Sequence, residues 1–294
     1  MKNLVKTLLL VAVCALLFSS CEKEGQYLPK KKVSKITYVT SSTLWGITTT
    51  AVTGYQDWEW SGKLLTQITL RNGDGDMEGT IVPQYDSKKR VTALHCVLDT
   101  EIEDYKFTYD GKNLMKITCY SNDKDAVTEY TFRKEDKNVV EITVQGYASK
   151  ALEGTGINPL QFVLPNEIAE RIKPSDEKAT IIYKLTWNGN NISSMEELRS
   201  GVTYANYNWA YDNGINPFKG LFCNVDGSLN GFEELYSANN VVESHSVAHL
   251  SFADMEEHFK YEYEYEDNYP VKKTWGTTSS TGLEVVHTMS YLYL

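Results

Sequence analysis

Three of the five histidines, His245, His249 and His258, fall within one short stretch, with Glu243 beside them. Imidazoles and carboxylates ligate zinc-class ions, and on a helix positions 245 and 249 would share one face. The surrounding Ser244 to Val247 and Leu250 read as a strand, where positions four apart stand ~13 Å apart. No metal-ligand spacing is matched, so no metal site is expected. Asn72-Gly73-Asp74-Gly75-Asp76 resembles the opening of a calcium loop, but its twelfth position is Pro83 where a bidentate Glu is needed. It reads as a polar hairpin tip. There is no Gly-x-Ser-x-Gly elbow, no phosphate-cradling Gly-x-x-x-x-Gly-Lys and no cysteine in a protease context. A glycosidase needs two carboxylates, and 39 acids cannot nominate a pair. No catalytic residue and no cofactor are nominated.

The elements that would position any site follow from an internal repeat. Two bulky residues spaced by two precede a polar turn, and apolar residues follow five and eight positions later. The pattern is clearest at Trp58-Glu59-Trp60-Ser61-Gly62, Phe107-Thr108-Tyr109-Asp110-Gly111 and Leu185-Thr186-Trp187-Asn188-Gly189. Its second anchor falls at 60, 85, 109, 134, 187, 211, 236 and 265. The spacing is about 25 residues, the length of a β-hairpin with its connection. The one double gap, from 134 to 187, is expected to be two periods with one unit degenerate or replaced.

Alternation gives strands. Phe259, Tyr261, Tyr263 and Tyr265 interleave with Lys260, Glu262, Glu264 and Glu266, one aromatic face against one charged face. The expectation is an all-β chain, a large curved or barrel-like antiparallel meander of about 16 strands over residues 33–294. An insertion at about 150–180 carries one short helix between Pro165 and Pro174. Cys96 and Cys119 occupy equivalent places in consecutive units, one strand apart at each step. That puts them ~9.6 Å from each other, beyond the ~7 Å a disulfide allows, so both are expected to be free thiols.

Most aromatics sit at the repeated inward positions, where a core explains them. Trp45 and Trp275 lie outside the anchors and are the candidates for stacking on a ligand.

The first residues are an address. Lys2 and Lys6 precede an apolar run from Leu8 to Phe18, too short for a bilayer but suited to a secretory signal. The run ends Ser19-Ser20-Cys21, which resembles a bacterial lipobox: residues 1–20 would be removed and Cys21 lipidated, anchoring the chain stably in the membrane. Glu22-Lys23-Glu24 resembles the acidic surface-export signal of Bacteroidetes lipoproteins. Residues 21–32 read as the lipidated N-terminus and a solvated, flexible tether. The net charge of −10 excludes a nucleic-acid partner.

The tandem aromatic hairpins resemble tyrosine-aspartate (YD/RHS-like) repeats. Together with the lipobox and the segment from Tyr211-Asp212 to Asn216-Pro217-Phe218-Lys219-Gly220-Leu221, the chain resembles a Bacteroidetes lipoprotein family of unknown function with a porin-like fold. The resemblance implies a barrel-like sheet and no established activity. The reading is therefore a lipid-anchored outer-membrane or cell-envelope protein facing the periplasm or the cell surface. It would act as a non-catalytic binding module for a glycan, a peptide or an envelope protein partner. The alternatives are an exported carboxylate-dependent hydrolase and a transmembrane β-barrel.

Overall fold

The computed structural model describes residues 25–98, 101–120, 127–136, 138–146, 180–221, 237–249, 254–278 and 282–294. The strands are β1 (Val33–Leu44), β2 (Ile47–Ser61), β3 (Leu64–Asn72), β4 (Met77–Tyr85), β5 (Val91–Leu98) and β6 (Glu101–Asp110). They continue as β7 (Asn113–Tyr120), β8 (Val127–Glu135), β9 (Asn138–Gly146), β10 (Ile181–Asn188), β11 (Asn191–Arg199) and β12 (Val202–Tyr211). The last are β13 (Val241–His249), β14 (Asp254–Lys260), β15 (Glu262–Glu266), β16 (Tyr269–Thr278) and β17 (Glu284–Tyr293). No helix occurs among the described residues. The expected helix, most of the 150–180 insertion, residues 1–20 and Cys21 lie outside them.

Each strand pairs antiparallel with its neighbour in sequence from β1 to β14, and again from β15 to β17. Strand β17 then pairs with β1 from Val33↔Tyr293 to Thr43↔Glu284, bringing the meander round on itself. β14 and β15 are one run of chain interrupted only at Tyr261, whose N–H still reaches the Val242 carbonyl at 3.0 Å. Counted as one, they make the ring sixteen strands, as the repeat arithmetic predicts. The ring is nearly closed. Its lower part is joined where β15 pairs with β16 from Glu262↔Thr274 to Glu266↔Tyr269. Above Thr274, among the described residues, β16 pairs only with β17, and β14 pairs only with β13.

Side-chain parity explains which face is the core. In β6, Tyr105 and Phe107 are buried while Asp104, Lys106 and Thr108 are exposed. The inward residues of every strand from β1 to β13 join one apolar cluster that includes Ile36, Trp58, Ile81, Ile117, Phe132, Tyr183 and Trp209. Sixteen strands in an open round barrel would leave an aqueous lumen. Here inner-face residues of every strand from β1 to β13 are buried, so that part of the lumen is filled. The outer wall carries ion pairs across adjacent strands, such as Arg71–Asp57 at 2.8 Å, Lys116–Glu129 at 2.6 Å and Lys272–Glu264 at 2.8 Å.

The repeat has a structural meaning. A register shift falls immediately before the second anchor in β2, β4, β6, β8, β10, β12 and β15. Each bulge re-aims the side chain that follows it, a ring in every case but Lys134 of β8. The ring's polar tip then donates to the first turns of the preceding up-running strand: Trp60 to the Val33 carbonyl, Tyr85 to Leu65, Tyr109 to Val91, Trp187 to Val139 and Tyr211 to Ile192. Tyr263, two residues before the β15 bulge residue, donates likewise to Val241, and Tyr293 to Pro270, whereas Tyr265, which follows that bulge, donates to Asp212. The eighth unit ends at Tyr293 of β17. The copy placed at Leu235-Tyr236 lies outside the described residues, within the connection from β12 to β13. Within the gap from 134 to 187, β9 pairs directly with β10, and the remaining residues 147–179 lie outside the described ones.

Residues 25–32, expected to be a solvated tether, instead run across the lower end of the barrel. The Gly25 carbonyl accepts from Val91 N–H at 2.9 Å. Tyr27 is only 1% exposed, its ring lies 5.8 Å from Trp60, and its hydroxyl donates to the Pro217 carbonyl at 2.9 Å. The reason is the aromatic itself, which covers Trp58 and Trp60. Gly25 is obligatory here, since its φ is +74° and a Cβ would collide with the Tyr109 ring. Phe218, on the turn at 217–220, closes the same end against Trp58 and Tyr291.

Candidate binding surfaces

Two regions hold side chains whose placement is not explained by hairpin packing alone. The first is an arm. β1 and β2 overrun β3, whose pairing with β2 ends at Gly54↔Asn72. The hairpin is held by its own ladder to Leu44↔Ile47, with Ser41–Thr50 and Thr43–Thr48 hydroxyl pairs at 2.9 Å each. From Ile36 to Gln56 the sequence contains no charged residue. At the tip, Trp45 adopts a positive φ of 51° and is 88% exposed, with Ile47 at 73%. Among the described residues, the outer edge of β2 from Ile47 to Thr53 pairs with no strand.

The second region is inside the barrel. Trp275 is 6% exposed and stacks on His287 at 5.1 Å, which removes it from any external ligand surface. The pairings Trp275↔His287 and Thr40↔His287 place Trp275 level with Thr40. It is therefore five positions short of Trp45, ~17 Å along the strands. The two tryptophans do not form one site. Burial holds the His287 imidazole below its ordinary range. Lys273, fully buried on β16, sits in an aromatic cage with its ammonium 3.8 Å from the Tyr261 ring and 5.0 Å from Trp275.

Further round the lumen, two carboxylates are buried. Glu103 accepts from the Tyr105 hydroxyl. Glu197 accepts from Arg199 Nε at 2.7 Å and from the Tyr207 hydroxyl at 3.2 Å. Burial raises the Glu197 carboxyl above its usual range, against the lowering effect of Arg199 and Tyr207. Tyr130 and Tyr183 are fully buried near them, and burial raises both phenols well above their ordinary range. These groups escaped notice in the sequence because acids are abundant. Parity could have found them: Glu103 shares its face with Tyr105 and Phe107, and Lys273 shares its face with Trp275. Cys96 and Cys119 are buried thiols not joined in a disulfide, on the strands flanking β6, as the meander requires.

The histidines lie on the outer wall. His245 and His249 are on β13, and His258 on β14 stands directly opposite His245. Among the described residues no group of three or more His, Cys, Asp or Glu converges to hold an ion. The Asn72–Asp76 tip is stabilised by its own amide: Asn72 Oδ1 accepts from Asp74 N–H at 3.0 Å and Asp76 N–H at 2.9 Å. That is turn chemistry, with the side-chain oxygen already committed.

No family model matches this chain, and no curated protein matches it in sequence. Among solved structures, it is similar to a porin-like protein from Bacteroides uniformis ATCC 8492, with a TM-score of 0.48 and 10% identity over 89% of this chain and 98% of that one. It is also similar to a porin-like protein from Bacteroides vulgatus ATCC 8482, with a TM-score of 0.40 and 8% identity over 90% of this chain and 99% of that one.

Proposed function

We propose that this chain is a lipid-anchored cell-envelope protein, tethered through Cys21, that captures a glycan, peptide or protein partner at the Trp45 arm. The observation that carries this reading is the arm: an uncharged, β-branched hairpin ending in an almost fully exposed tryptophan. Such a tip offers a ring for stacking on sugar or on apolar side chains. The free edge of β2 offers main-chain donors and acceptors to an extended strand.

Two alternatives fare worse. A transmembrane barrel needs a lipid-facing apolar band, whereas the described outer wall presents Lys35, Asp57, Lys106, Glu129, Lys184 and Glu264 on successive parts of the ring. A hydrolase needs paired carboxylates open to substrate, and the carboxylates of Glu103 and Glu197 are sealed in the lumen.

Glycan-array binding and photo-crosslinking from Thr49, exposed on the same arm, in the producing cell test the proposal. Trp45→Ala is expected to abolish the array signal or crosslinked partner while leaving thermal stability unchanged. Partner capture that is indifferent to both Trp45→Ala and Ile47→Ser overturns it. The anchor is tested separately: Cys21→Ser is expected to eliminate palmitate labelling and release the protein from membranes.

A further inference from the structure

His245 and His258 face each other across the β13–β14 ladder on the outer wall, in direct register. Ser244 and Ser246, the alternate residues of β13, point into the barrel, so the imidazoles point away from it. Their ring centroids are 5.9 Å apart and the rings meet edge to face. Each ring has a carboxylate from the other strand on the same nitrogen. His245 Nε2 lies 2.6 Å from Glu256 Oε1, and His258 Nε2 pairs with Glu243 Oε1. His249 differs, because Asp254 occupies its Nδ1 at 3.0 Å and Asn206 its Nε2 at 3.1 Å.

This arrangement has a chemical consequence. A carboxylate accepting from Nε2–H fixes the tautomer and leaves the Nδ1 lone pair as the ligand, while making the ring a better donor; metal-binding histidines are oriented in this way. Two imidazoles on one ion at metal–nitrogen distances of ~2.0–2.1 Å place their centroids ~5–6 Å apart. The observed centroid separation falls in that interval. Directly opposed positions of an antiparallel pair also hold their Cβ atoms close, so little side-chain freedom is lost on chelation.

We infer that His245 and His258 form a two-imidazole chelate for a divalent ion of the zinc and copper class, with Glu243 and Glu256 as positioning residues and water completing the coordination sphere. Imidazole selects this class over magnesium and calcium, which prefer all-oxygen sites.

Metal-free full chain, purified without a histidine tag, would be titrated calorimetrically with zinc. One equivalent is expected to bind. His245→Ala and His258→Ala should each weaken binding at least tenfold. Glu243→Gln and Glu256→Gln should weaken it on the order of 10- to 100-fold, as lost outer partners do. His249→Ala should leave it within twofold. Copper(II) bound to the unaltered chain should show coupling to two imidazole nitrogens in its electron paramagnetic resonance spectrum, a readout that needs no variant to fold. Absence of zinc binding, retention of binding in both histidine variants, equal loss in His249→Ala, or coupling to fewer than two nitrogens overturns the inference.

Discussion

At the scale of single residues, the repeat is a rule about where one polar tip goes. Tyr109 shows it: the ring sits after the bulge at Thr108/Tyr109, under the Arg90 guanidinium at 4.4 Å, and its hydroxyl donates to the Val91 carbonyl at 2.7 Å. Tyr109→Phe keeps the packing and removes only that bond, so a loss of ~1 kcal/mol is expected in urea unfolding. Tyr109→Ala also removes the ring and should cost ~3 kcal/mol or more. Equal effects of the two variants would show that the hydroxyl, not the ring, is the anchor. A second residue, His287, contributes to the pH response from the lumen. Its folded pKa is depressed by burial, so the unfolded chain binds a proton more readily. The stability it confers is complete above its unfolded value of ~6.5 and is lost as pH falls through the lower folded value. Thermal unfolding between pH 7.5 and 5 should therefore show a steeper decline for the native chain than for His287→Gln, whose side chain does not titrate. Parallel declines would assign the acid response to the carboxylates alone.

At the scale of elements, the segment from Gly25 to Lys32 acts as a strap that finishes the barrel's lower end. Tyr27 is its fixed point, and Tyr27→Ala should destabilise the chain by ~3–5 kcal/mol, the usual cost of deleting a buried aromatic. Tyr27→Phe should cost ~1 kcal/mol through the bond to Pro217. An unchanged midpoint for Tyr27→Ala in urea would mean that the strap rests on the barrel without supporting it. The strap was illegible in the sequence for a physical reason. A charged, proline-containing stretch of eight residues reads as solvated, and only the rings of Trp58 and Trp60 at the barrel mouth make burial of Tyr27 favourable. By contrast, the hairpins were legible, because a two-residue period and the turns at Ser61-Gly62, Asp110-Gly111 and Asn188-Gly189 are local signals. Glycine at these turns supplies the positive φ that the chain reversal needs. The copy placed at Tyr236 lies outside the described residues, and the unit ending at Tyr293 was not read because ring spacing alone does not single it out. Of the two candidate tryptophans, Trp45 lies where a ligand could reach it. Trp275 does not, and its alternation with Lys273 was the missed indication that a charge is also buried there.

At the scale of the whole molecule, the strap decides how a lipidated chain would stand on a membrane. With a free tether from residue 21 to 32, the barrel could tumble over a wide arc. With residues 25–32 docked, only the four steps from Cys21 to Gly25 remain as a leash, ~14 Å at full extension. The lower end, closed by Tyr27 and Phe218, must then lie close to the lipid. β1 rises twelve residues from that end, carrying Trp45 ~40 Å along the strand direction. The arm would therefore point away from the anchoring leaflet, where a partner can approach without displacing lipid. Fluorophores attached to Lys63→Cys, in the lower turn after Gly62, and to Trp45→Cys, each in a Cys223→Ser background, measure this on vesicles containing brominated lipids. Quenching is expected at position 63 and absent at position 45. Tyr27→Ala should loosen the strap, lengthen the leash and reduce the difference. Equal quenching at both positions in the native chain would mean that the barrel reorients freely and that the docked strap does not hold the exposed tip away from lipid.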